Sequence, residues 1–218
     1  MNDEPDWADA AEQRVLDQAL DLAPEVGWNA GLVARAGAQA GLSAGEVGLL
    51  LPNGARDLAA LLSRRHDRAA LEALANTDPS TLKIRARITM GVEARLTAAF
   101  ADEPALRRGA MFLASPPNVP LALRLAWESA DGLWRWAGDL TVDENHYSKR
   151  AILSAVLMST LAVRLARDRE AASAHLAARI DNVMRFETWK AGVKPRNVLQ
   201  EGAEALGRRR YGSPTLSP

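Results

Sequence analysis

Residues 151–163, AILSAVLMSTLAV, form the stretch that most restricts what this chain can become. They carry no formal charge, and apolar side chains fall on every face of the helix they predict rather than on one stripe, the pattern of a helix surrounded by protein. A bilayer crossing needs about 20 apolar residues, so this segment is too short to span one. It therefore reads as the central post of an all-helical core. Just ahead of it, residues 131–150 are dense in aromatic and charged side chains, and these two stretches are where function is sought.

The rest of the chain agrees with an all-α fold. Ala and Leu predominate, strand-like alternation is absent, and 218 residues suffice to bury a core without staples. The 27 basic residues balance the 27 acidic ones, so no overall field draws the chain to nucleic acid or anionic lipid. The absence of cysteine excludes disulfides, thiol catalysis and thiolate-bound metal. The opening MNDEPDWADAAEQR has neither the apolar centre of a secretory signal nor the acid-poor look of a transit peptide, which predicts a cytoplasmic protein.

Periodicity and breakers predict helices over 7–23, 29–40, 43–51 and 55–76, the third entered through Gly41-Leu42-Ser43 and left through Pro52-Asn53-Gly54. Asp78-Pro79 predicts a helix to about residue 101, with Arg85, Arg87 and Arg95 mostly outward. Further helices are expected over 103–112, 119–137, 145–167 and 170–190, followed by an amphipathic segment and a disordered end. The run GWNAGLVARAGAQAGLSAGEVGLLLPNGARDL resembles the N-terminal part of TetR-family repressors. Its would-be recognition helix, however, carries Glu46 and no donor or cation, whereas reading DNA needs both. A nucleic-acid role is not expected; the nearest bases, Arg35 and Arg56, read as solvated helix-face residues.

Catalytic and metal constellations are weak. Asp139, Asp143, Glu144 and His146 crowd one turn, but no spaced pair of ligands completes a site, and Thr141, Asp143 or Glu144 can simply cap the post. No phosphate loop or nucleophile elbow appears, so neither an enzyme nor a cofactor is expected. Tyr147 reads either as core or as an exposed aromatic beside cations; Arg135 and Asp139 read as a surface pair one helical turn apart. Residues 119–136 and 180–186 supply apolar faces opposite the post, enough for a dry core or for a cavity.

The strings DGLWRWAGDLTVD (131–143), YSKRA (147–151), STL (159–161) and above all RIDNVMRFE (179–187) resemble the ubiquinone (coenzyme Q) biosynthesis Coq-nine family. LPNGARDL and KIRARITMGVEARL fit the same family, so the resemblance covers most of the chain. It implies a TetR-like all-α fold that has given up DNA binding, organised as a degenerate helix-turn-helix region (1–76), a lipid-pocket and dimerisation domain (77–191), and an amphipathic helix with its tail (192–218). The implied function is that of a non-catalytic accessory that shelters an isoprenoid lipid or phospholipid and presents quinone intermediates to a hydroxylase at the membrane. A homodimer is implied as well. The alternative function is a ligand-responsive repressor.

On this reading Leu125, Trp134, Ile152, Val156, Ser159, Thr160, Val163 and Val183 line the lipid site. Asp143, His146, Tyr147, Lys149 and Arg150 meet the partner, and Val198, Leu199, Leu206, Arg208 and Arg209 touch the membrane. One departure stands out: the family carries Trp before this Tyr, and here the position is His146, so a partner docks differently or is a different one. Asp181 and Arg185, one turn apart, read as a clasp within the last helix.

Overall fold

A computed structural model describes residues 7–139 and 144–192, and all its regular structure among them is helical. Residues 1–176 form one compact unit and the chain from Ala177 another; the described part of the second is the C-terminal two thirds of the last helix.

The first helix, α1 (Trp7–Val26), buries the stripe Ala11, Val15, Leu16, Ala19 and Ala23, and ends where Gly27 takes a positive φ. The next, α2 (Ala30–Gln39), starts at Asn29, whose side chain accepts the Leu32 N–H at 3.1 Å. Then α3 (Ala44–Leu50) opens on a full capping box: Ser43 Oγ accepts the Glu46 N–H, while the Glu46 carboxylate takes the Ser43 N–H at 2.8 Å. Beyond the Pro52-Asn53-Gly54 break lies α4 (Ala55–Leu74). Trp28 is the wedge among these helices, with its indole N–H donating to the Ala55 carbonyl at 2.9 Å. The all-α, TetR-like order expected from the sequence is thus present.

Close approach of α2 and α3 depends on Gly37. A Cβ there would sit 2.3 Å from Val47 Cγ2. Val47 is β-branched and has few rotamers to escape into, so Gly37→Ala is expected to cost about 1–3 kcal/mol, read as a shift in the urea unfolding midpoint.

Asp78-Pro79 does not open a long helix. It caps a single 3₁₀ turn, Pro79–Thr81, and α5 begins only at Ile84, running to Phe100. Ser80 and Thr81 turn their hydroxyls back onto Asp78, both at 2.8 Å, and these local bonds compete with helical continuation. There follow α6 (Glu103–Ala114), α7 (Val119–Trp136), α8 (Glu144–Ala166) and α9 (Arg169–Gly192). In the first unit α4 packs on α5 and α7, α1 on α2 and α6, and α7 along α8.

The post is not surrounded by protein. Leu153, Val156, Leu157 and Thr160 of α8 are buried, but Ala151, Ala155, Met158 and Ala162, three or four residues apart, are exposed. Three of those four are alanines, whose small apolar surface costs little to leave in water; an apolar count treats them as core residues and physics does not.

Candidate functional site

Helices α4 to α8 leave an open cavity of about 720 Å³ between them, within the size range of small-molecule sites. Its walls are Leu62, Leu96, Leu106, Leu113, Leu125, Leu157, Leu161 and Leu165. Room comes from small residues on facing helices: Gly109 and Ala110 of α6, Ala122 and Ala126 of α7, Ala162 of α8. Met111, Val119 and Met158 are exposed and form an apolar rim, whereas Ala59, Leu62, His66 and Leu106 at the other side are buried.

Polar groups gather at that buried side. Arg95 Nε pairs with Asp67 Oδ1 at 2.5 Å, its Nη2 donates to Ser63 Oγ at 3.2 Å, and the Ser129 hydroxyl donates to the same Asp67 oxygen at 2.6 Å. His66 is 3% exposed and its Nε2 lies 2.9 Å from Asp102 Oδ2. A carboxylate can only accept, so Nε2 carries the proton. Burial first, and the Arg95 charge second, hold the His66 pKa below its ordinary 6.5 despite Asp102. The sign of the consequence follows. Above pH 6.5 the ring is neutral in both folded and unfolded chain; below it the unfolded chain takes the proton first, so stability falls as pH drops from about 6.5 toward the folded value and levels off beneath it. Urea midpoints measured at about pH 7.5 and about pH 5.5 should therefore separate more in the wild type than in His66→Phe, and equal separations would contradict a buried neutral ring.

Of the residues expected to line a lipid site, Leu125 lies on the cavity wall. The face of α8 that reaches the cavity is Leu157, Met158, Leu161, Ala162 and Leu165; Ile152, Val156, Ser159, Thr160 and Val163 lie on neighbouring faces of the same helix. Thr160 Oγ1 donates to Val156 O at 2.7 Å, and Ser159 Oγ meets His175 Nε2 at 3.2 Å. The Trp134 indole donates to Lys149 O at 3.1 Å, with the Lys149 ammonium 5.6 Å from its ring centre. Val183 belongs to the second unit. Sequence reasoning missed the α6 wall, although Leu106, Gly109, Ala110 and Leu113 recur at three and four, and missed the polar side, whose partners lie far apart in the chain.

The charged turn is largely a clasp. Arg150, expected at a partner surface, is 1% exposed: Nε pairs with Asp131 Oδ1 at 2.5 Å, and Nη1 donates to His146 O at 3.2 Å. It was expected outward because it adjoins Lys149, yet one position along a helix turns a side chain by about 100°. Arg135 pairs with Asp131 at 2.8 Å rather than with Asp139, and Asp139 takes Lys149 Nζ at 3.1 Å. Arg95 likewise turns inward, contrary to expectation, because Asp67 and Ser63 on α4 receive it. What remains outward is Tyr147, 64% exposed, with ring centres of Trp127 and His146 6.2 Å and 5.2 Å away.

Asp143 lies outside the described residues, as do Thr141, Val198, Leu199, Leu206, Arg208, Arg209 and the tail. Among the described residues no three His, Asp or Glu side chains gather as metal ligands, and no helix is long and apolar enough to cross a membrane. On α3, Glu46 is spent on the capping box and Leu49 is 84% exposed, an outer surface without a cation.

The COQ9 family model matches residues 119–187, from the start of α7 well into α9. The chain is 27% identical over 165 residues to the ubiquinone biosynthesis protein COQ9, mitochondrial, of Xenopus tropicalis, covering 71% of this chain and 50% of that protein. It is 26% identical over 157 residues to the human protein of the same name, covering 68% of this chain and 49% of that one. The chain thus spans about half the length of the curated relatives it matches.

Proposed function

We propose that this chain belongs to the COQ9 family, which its residues 119–187 match, and serves ubiquinone biosynthesis as a non-catalytic lipid-binding accessory that presents isoprenoid quinone intermediates to a hydroxylase at the membrane. The observation that carries the proposal is the cavity: about 720 Å³, walled by leucines and open through an apolar rim. A prenyl chain is a string of branched apolar units, and burying it against leucine gains roughly 25 cal/mol per Å² removed from water. Through the apolar rim of Met111, Val119 and Met158 the chain moves from bilayer to protein.

In this reading Tyr147, with Trp127 and His146 beside it and half-exposed Lys149 on the same turn, forms the partner surface, since exposed aromatic clusters are what interfaces bury at their centres. Residues 1–76 keep the helix-turn-helix form without its DNA chemistry and lend α4 to the cavity, 77–191 carry its other walls and the dimer contact, and the amphipathic segment beyond 192 touches the bilayer. A repressor is disfavoured by α3, which offers no cation to phosphate or base.

The test is uptake. Delipidated protein incubated with vesicles containing a polyprenyl quinone, then separated and extracted, should retain about one quinone per cavity. No retention at any vesicle concentration would refute the proposal.

A further inference from the structure

The buried side of the cavity presents one hydrogen-bond acceptor and one donor that no protein group uses. With its Nε2–H given to Asp102, His66 keeps a lone pair on Nδ1. No protein partner meets that nitrogen, and no buried side-chain nitrogen or oxygen is sealed off unpartnered among the described residues, so Nδ1 keeps accessible surface on a residue that lines the cavity. Arg95 also lines the cavity, and its Nε and Nη2 are taken by Asp67 and Ser63 while Nη1 meets no protein acceptor.

The charge there decides the kind of head group. Arg95 is matched by Asp67, and Asp102 adds a second carboxylate beside neutral His66, leaving a net negative surround. At the rim, Arg107 is equally committed: Nε and Nη2 hold Glu103 and Nη1 donates to Leu165 O at 2.7 Å. Each cation's charge is already balanced by a carboxylate, and an anion brought against Asp67 and Asp102 in a poorly hydrated site would be repelled.

We infer that the inner end of the cavity is a head-group site for an uncharged, hydroxyl-bearing amphiphile, whose hydroxyl donates to His66 Nδ1 and accepts from Arg95 Nη1 while its apolar chain runs out to the Met111–Met158 rim. The inference rests on the proposal that the cavity holds an apolar ligand, and adds the orientation, head inward, and the class, phenol or alcohol rather than phosphate or carboxylate. Both hydrogen bonds made at one oxygen satisfy a donor and an acceptor that otherwise require water.

Three probes with one chain length separate the possibilities: pentadecylphenol, pentadecylbenzene and pentadecylbenzoate, titrated into the delipidated full chain. The phenol should bind about tenfold tighter than the arene, the benzoate weaker than either, and His66→Phe should bring the phenol to the level of the arene while leaving the arene unchanged. Equal binding of phenol and arene, or tightest binding of benzoate, overturns the head-group site while leaving the apolar cavity standing. Failure of all three to bind removes the cavity reading and this inference with it. The comparison of probes on the wild type needs no variant, so a poorly folding His66→Phe does not blunt it.

Discussion

Asp131→Ala is expected to cost about 3–5 kcal/mol of folding free energy, the largest loss foreseen for a single side chain in this protein. The reason is what it leaves behind. Arg150 is 1% exposed and its Nε is held by Asp131; its other carboxylate, Asp139, stands at 3.8 Å and is already drawn to Lys149 at 3.1 Å. Without Asp131 a guanidinium is buried with a carbonyl from His146 as its nearest hydrogen-bond acceptor. By contrast, Arg135 holds the other oxygen of Asp131 from an exposed position, so Arg135→Ala should cost no more than about 1 kcal/mol. Adding Arg150→Met to Asp131→Ala should recover much of the loss, because it removes the stranded charge. Urea denaturation of the three variants provides the check; a loss near zero for Asp131→Ala would mean that Arg150 reaches water. The clasp joins α7 to the first turns of α8, and those two helices supply a large part of the cavity wall, so its strength bears on function through the shape of the site.

Filling the cavity should abolish ligand binding with little effect on stability. Ala110 of α6 and Ala126 of α7 both line it, and tryptophan at both positions would occupy the space a chain needs. Overpacking a filled core costs about 1–3 kcal/mol, but here the added rings enter volume that protein atoms leave open, so the melting temperature should hold within about 4 °C. Quinone uptake from vesicles should fall at least about tenfold, a difference of about 1.4 kcal/mol in binding. Leu123→Trp, on the exposed side of α7, is the control and should leave uptake unchanged.

The sequence made the local chemistry legible and left the long-range chemistry hidden. Ser43 with Glu46, Asn29, and the Pro52-Asn53-Gly54 break each act within four residues, and the helices they delimit lie where their pattern puts them. The start of α5 was misread for a reason also local: Ser80 and Thr81 bond back to Asp78 instead of continuing the helix. The face of α8 was harder, because an alanine-rich helix has no clear dry side until its neighbours are known. Arg95, His66 and Arg150 were beyond periodicity altogether. Their partners lie 28, 36 and 19 residues away, so a charge that reads as solvated turns out to be matched by a carboxylate on another helix. The resemblance carried in RIDNVMRFE pointed to the family but not to the α6 wall of the cavity, which lies upstream of the matched residues 119–187.

The most direct measurement of the central claim, that this cavity holds a prenyl lipid, is native mass spectrometry of the wild type beside Ala110→Trp/Ala126→Trp, both prepared without detergent. The account predicts one lipid adduct on each wild-type chain, released on activation with the mass of an isoprenoid compound, and no adduct on the double variant. Wild-type protein that stays empty through repeated preparations and after exposure to quinone-loaded vesicles, or an adduct that persists in the filled variant, would contradict it.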